Sequence, residues 1–181
     1  MNRILVIAPY PDDETLGCGG TLLRFQNEGY EIYWLIITTF TQDQGFSSQQ
    51  ISARQNEIAK VVACYRFNDY KQLNFLTTEL DTVPKKELIG AISHYINTVR
   101  PDTVFLPYLY DAHSDHKAVF EAAIACTKSF RYPLIKSVRI YETLSETEFG
   151  MFPDKLSFRP NLWIDISDYL GKNRNYEKLC E

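Results

Sequence analysis

The chain has 181 residues, 45% hydrophobic and 14% aromatic, with a net charge of −4 at neutral pH. That size fits a single domain, residues 1–181, with apolar material for one sizeable core, and it excludes a disordered or fibrous protein. Acids and bases are interspersed without a basic stripe and no apolar run approaches the roughly 20 residues of a bilayer span, so neither nucleic acid nor a transmembrane segment is expected.

Arg3–Ala8 reads as a buried strand, because its apolar residues are continuous and β-branched rather than alternating. From about Thr15 to Asn27 the spacing of Leu16, Leu22, Leu23 and Phe25 turns helical, and Gly29 closes the segment. "EIYWLIITT" is a second buried strand. Phe40 to Gln50 is a polar loop, and "SQQISARQNEIAKVVAC" is a helix with Ile51, Ile58, Val61 and Val62 on one side. A short strand is placed near Lys71–Phe75. Pro84 opens a helix to about Val99, and "DTVFLP" is another buried strand.

The loop "YLYDAHSDH" follows, then a helix from about Lys117 to Lys128. "SVRIYE" and "NLWIDIS" are read as two further strands, and the polar tail "GKNRNYEKLCE" either packs elsewhere, frays or lacks a following element. Repeated strand–helix alternation predicts an α/β fold: a Rossmann-like three-layer sandwich, with a mostly parallel sheet and helices on both faces. Cys18, Cys64, Cys126 and Cys180 are scattered without a C-x-x-C pair and read as free thiols. A cytoplasmic location is the default expectation.

In such sheets ligands bind beyond the carboxyl ends of the strands. Two polar clusters fall there: "YPDDE" after the first strand and "DAHSDH" after the strand at Val104–Leu106. Together they offer Asp12, Asp13, Glu14, Asp111, His113, Asp115 and His116. Carboxylates and imidazoles of this kind recruit a divalent metal such as zinc, which lowers the pKa of a bound water to about 7. A neighbouring carboxylate then acts as a base and an imidazole stabilises the oxyanion. The plainer alternative is that the acids cap the following helix and the histidines belong to a surface loop. His94 lies mid-helix without a partner motif and is read as structural. The "GCGG" stretch is no dinucleotide loop: its spacing is wrong, and three acids occupy the turn that a pyrophosphate needs. Its glycines are expected to let the first helix approach the sheet closely.

At these residues the chain resembles the PIG-L/LmbE-like family of zinc-dependent de-N-acetylases, which act on N-acetylglucosamine-containing and related substrates. The family's P-D-D-E turn followed by T-x-G-x-G-G stands here as "APYPDDETLGCGG", and its H-x-D-H motif as "HSDH", residues 113–116. The likeness continues through "ARQNEIAKV", "VRPDTVFLP", "YETLSETEFG" and "PNLWIDIS", nearly the whole chain in order. It implies that Asp13 and His116 bind the metal, that Asp12 is the general base, and that His113 stabilises the tetrahedral intermediate with support from Asp115. Arg54 matches a position that holds substrate. "TLSETEF" would lie near the pocket mouth, or serve only as a polar connector.

Two features depart from the family pattern. The residue before the proline is Tyr10, where the family has a ligand histidine. A phenol of ordinary pKa about 10 must lose a proton to bind well, and its oxygen reaches farther from the backbone than an imidazole nitrogen. Tyr10 is therefore a doubtful ligand, and weakened zinc affinity is expected. The C-terminus also reads as shortened. The implied function is hydrolysis of the N-acetyl group of an amino-sugar small molecule or glycan by metal-activated water. The alternative is a catalytically impaired homologue that binds sugar or is inactive.

Overall fold

The N-terminal apolar run forms β1 (Arg3–Ala8), whose residues from Ile4 onward are all buried. Each such aliphatic side chain contributes about 1.5–3 kcal/mol of burial. The computed structural model describes residues 2–150 and 157–178. β1 is flanked by β2 (Glu31–Thr39) and β4 (Thr103–Leu106), with β3 (Asp69–Leu76) outside β2 and β5 (Ser137–Ile140) outside β4. The order is β3-β2-β1-β4-β5, and every pairing is parallel.

β1 serves both faces because alternate residues of a strand point opposite ways. Ile4, Val6 and Ala8 pack in one core with residues of α1 (Asp13–Asn27) and α2 (Ser48–Tyr65). Leu5 and Ile7 pack in the other with α3 (Lys85–Val99) and α4 (Ser114–Ala125). This is the three-layer α/β sandwich expected from the sequence. The strand order reverses between β1 and β4, so a crevice opens beyond their carboxyl ends, where both polar clusters emerge.

Three local readings change. α4 begins at Ser114 instead of Lys117, because the His113 side chain accepts from the Asp115 N–H at 3.1 Å and caps the helix. Histidine is not among the usual capping residues, so the start was hidden. "NLWIDIS" is not a strand: among the described residues, 161–166 have no strand partner. Ile164 and Ile166 turn inward, while Leu162 and Trp163 stay 56% and 75% exposed. That alternation imitated a half-buried strand. Of the glycines of α1, Gly17 approaches the end of the sheet just after β5, as expected, whereas Gly19 and Gly20 approach helical and tail residues. A Cβ on Gly17 would meet the Tyr141 ring and the Glu142 carbonyl, one on Gly20 would meet Ile166, and one on Gly19 would meet Tyr65 and Asn173.

Asn173 belongs to α5 (Leu170–Glu177), so the described part of the tail docks onto α1. Its buried side chain accepts from the Tyr65 hydroxyl at 2.8 Å and donates to Glu177 Oε1 at 2.7 Å. Cys180 lies outside the described residues. Among the described residues, no helix is long and apolar enough to cross a membrane.

Candidate active site

After β1, Tyr10, Asp12, Asp13 and Glu14 enter four different environments. The Tyr10 N–H donates to Asp13 Oδ2 at 2.7 Å. The Asp12 carbonyl accepts from the N–H groups of Thr15 and Leu16, which starts α1, but its side chain caps nothing. That leaves the Asp12 carboxylate facing a cavity of about 260 Å³, which Tyr10, Thr38, Phe40, Phe46 and Arg54 also line. Burial, reinforced by the Asp13 charge and partly offset by Arg54, pushes the Asp12 pKa up to about 6. Glu14 is fully buried and accepts from the Thr15 hydroxyl at 2.6 Å. Burial holds its pKa well above the usual carboxylate range.

Asp13 Oδ1 lies 3.3 Å from His116 Nε2, at the first turn of α4. The other ring nitrogen, Nδ1, is 2.8 Å from Asp111 Oδ2, and the Thr147 hydroxyl donates to Asp111 Oδ1 at 2.6 Å. His116 is completely buried. Burial opposes its charge, but Asp13 and Asp111 outweigh that cost and raise its pKa to about 10.

Tyr10 Oη donates to Asp115 Oδ2 at 2.8 Å and lies 3.0 and 3.1 Å from the two ring nitrogens of His113. Burial, then the bond to Asp115, pushes the phenol pKa upward. The Asp115 carboxylate also accepts from the backbone N–H groups of Thr78 (2.8 Å) and Leu80 (3.1 Å). Thr78 has φ of 64°, a strained conformation for a β-branched residue, and it lies at this site. Asp115 meets the His113 ring only through its backbone N–H.

Arg54 Nη1 lies 3.4 Å from Glu57 and 3.9 Å from Asp12 and makes no hydrogen bond, although the atom is buried. Asp12 and Arg54 therefore share the cavity. Tyr10 joins it to the cluster of Asp13, His113, Asp115 and His116.

Residues 5–127 match the family model described as "PIG-L: GlcNAc-PI de-N-acetylase". The chain belongs to the PIG-L family. A diacetylchitobiose deacetylase of Thermococcus kodakarensis is 25% identical over 94% of this chain, which spans 66% of that protein's length. The uncharacterized deacetylase YaiS of Escherichia coli is 26% identical over 91% of this chain and 82% of its own. Among solved structures, the conserved protein TT1542 of Thermus thermophilus superposes with a TM-score of 0.78 at 26% identity, covering 99% of this chain and 78% of that one.

Whether this PIG-L chain suits a zinc ion is decided by its donors. His116 Nε2 is a buried ring nitrogen without a hydrogen bond, facing Asp13, while Asp111 holds Nδ1. A carboxylate behind a histidine is the usual support of a ligand imidazole. Asp13 and His116 therefore fit as two ligands. Among the described residues no group of three or more His, Cys, Asp or Glu side chains gathers as a metal cage. Catalytic zinc sites ordinarily use three protein ligands. In the family pattern the third falls at Tyr10, whose oxygen is here a donor to Asp115 with a raised pKa.

Six participants had no assigned role in the sequence. Asp111 was one acid among several, and nothing in local spacing ties Thr147 to it or the Thr78 and Leu80 amides to Asp115. The Phe40–Phe46 pair, 4.3 Å between ring centroids, forms a cavity wall from a segment read only as polar loop.

Proposed function

We propose that this chain is a metal-dependent de-N-acetylase of amino-sugar substrates. The observation that carries the reading is the convergence of the cavity-lining Asp12 carboxylate with the Asp13–His116 pair at the sheet's switch point. The deacetylases among its relatives support the same reaction class. Zinc or another divalent ion, held by Asp13 and His116, would supply the activated water.

The chain's own groups account for the rest. Asp12 accepts the proton of the attacking water, and Arg54 offers an unused donor to a substrate oxygen at the same cavity. His113 Nδ1 accepts from the Asp115 N–H, so the neutral ring carries its proton on Nε2, available to the developing oxyanion. A C–O bond forms, the C–N bond breaks as Asp12 passes the water's proton to the departing nitrogen, and acetate and a free amine leave. At about 260 Å³ the cavity is below the roughly 300–1,000 Å³ of drug-sized pockets, which suits one sugar ring.

One observation favours the impaired alternative. Tyr10 Oη lies 3.0 Å from His113 Nε2, so a substrate oxygen must compete with the phenol for that proton. Acetate release from N-acetylglucosamine and N,N'-diacetylchitobiose, with and without added zinc, separates the two. Zinc-stimulated acetate release supports the enzyme; no acetate from the parent or from Tyr10→His leaves the impaired reading.

A further inference from the structure

The segment 143–149 reads from the sequence as a pocket-mouth element or a polar connector, yet Thr147 within it bonds Asp111, the partner of the buried His116. Residues 143–147 form a closed turn: the Glu146 N–H and the Thr147 N–H both donate to the Thr143 carbonyl, at 3.0 and 2.9 Å. The Ala112 N–H donates to the Glu146 carbonyl at 3.1 Å, which ties the turn beside the loop that carries Asp111. The Thr147 hydroxyl has one proton, and it goes to Asp111 Oδ1 at 2.6 Å. Its lone pairs accept the Thr143 N–H at 2.8 Å. Asp111 in turn has one oxygen on Thr147 and the other on His116 Nδ1. The side chains of Asp111 and His116 lie out of solvent, so water does not replace a lost partner cheaply.

We propose that Thr147 is a positioning residue for the candidate metal pair. It holds the Asp111 carboxylate in one rotation, and Asp111 then fixes the His116 ring with Nε2 toward Asp13. Without the hydroxyl, the carboxylate turns about its terminal bond and the imidazole loses its fixed orientation. The inference rests on the reading of Asp13 and His116 as ligands, and its consequence is that a segment distant in sequence sets metal affinity without touching the ion.

The test compares Thr147→Val, which keeps the shape but removes the hydroxyl, with Thr147→Ser, which keeps it. Zinc affinity is measured by competition with a chromophoric chelator, well below each variant's melting temperature. Removing a ligand's own outer partner costs about 10–100-fold in affinity. Thr147 acts one step further out, through Asp111, so Thr147→Val should bind zinc more weakly by about 10-fold, the lower end. Thr147→Ser should restore the parent value. Parent-like affinity in a folded Thr147→Val protein overturns the inference while leaving the metal site standing.

A second readout needs no metal. The His116 Nδ1 proton should give a slowly exchanging downfield NMR signal in the parent and in Thr147→Ser, and should exchange rapidly in Thr147→Val. If the parent binds no zinc, the ligand reading fails and this signal alone judges Thr147. An unchanged signal in Thr147→Val overturns the positioning role there too.

Discussion

Replacing Tyr10 tests the site at its point of departure from the family pattern. In Tyr10→Phe the ring is kept and the hydroxyl is lost, with its bond to Asp115 Oδ2 at 2.8 Å and its contact with His113 Nε2 at 3.0 Å. Hydrogen bonds to charged groups contribute about 1.5–3 kcal/mol. Asp115 keeps the Thr78 and Leu80 amides, so the lower end applies. At roughly 2–4 °C per kcal/mol for a chain of this size, Tm should fall by about 3–6 °C. Zinc affinity should not fall, because the phenol is a donor to Asp115 and not a ligand.

Tyr10→His gives up the same bond but offers an imidazole beside Asp13, whose carboxylate already accepts the backbone N–H of this position. Structural zinc sites bind with about 10–16 kcal/mol over four ligands, or about 3 kcal/mol each, so the third ligand should tighten binding roughly a hundredfold. Chelator competition and acetate release read the two effects. A large loss of zinc affinity in Tyr10→Phe would show that the phenol ligates after all. No gain in Tyr10→His would show that the missing histidine is not what limits the site.

Asp12→Asn keeps the shape of the side chain and removes its proton-accepting capacity; acetate release should fall about 10²–10⁴-fold with zinc affinity retained, and an equal loss of zinc would make Asp12 a ligand instead of a base. In the metal-free protein His116 has a pKa raised to about 10 from an ordinary value near 6.5. A raised pKa stabilises the folded state fully below the unfolded value and progressively less as pH climbs to the folded one. Thermal stability should therefore decline between about pH 7 and 10, with a shallower slope in His116→Gln; identical slopes in the two proteins would rule out the buried imidazolium. Gly19→Ala should cost about 1–3 kcal/mol, because the added methyl collides with the Tyr65–Asn173 pair that docks α5 on α1. An unchanged melting temperature would place α5 elsewhere.

Strand identity and sheet class were legible along the chain because burial on both faces leaves a local mark. β1, β2 and β4 are continuous apolar runs, and only parallel strands covered by helices on two sides read that way. The two acidic–imidazole clusters were legible as well, since each sits directly after such a strand. Local pattern misled where the partner is distant. Residues 161–166 alternate like a strand but have no strand partner among the described residues, and α4 starts early because a histidine caps it. Sequence therefore determined the α/β architecture, the loops that carry chemistry, and the residue types available to them. Tertiary structure decided their division of labour. It turned Asp12 toward the cavity and Asp13 toward His116, gave the Tyr10 hydroxyl to Asp115, and put Thr147 behind Asp111. The physical reason is that hydrogen bonds and charge pairs act over about 3 Å in space, whereas the residues that make them here stand up to 105 positions apart in the chain.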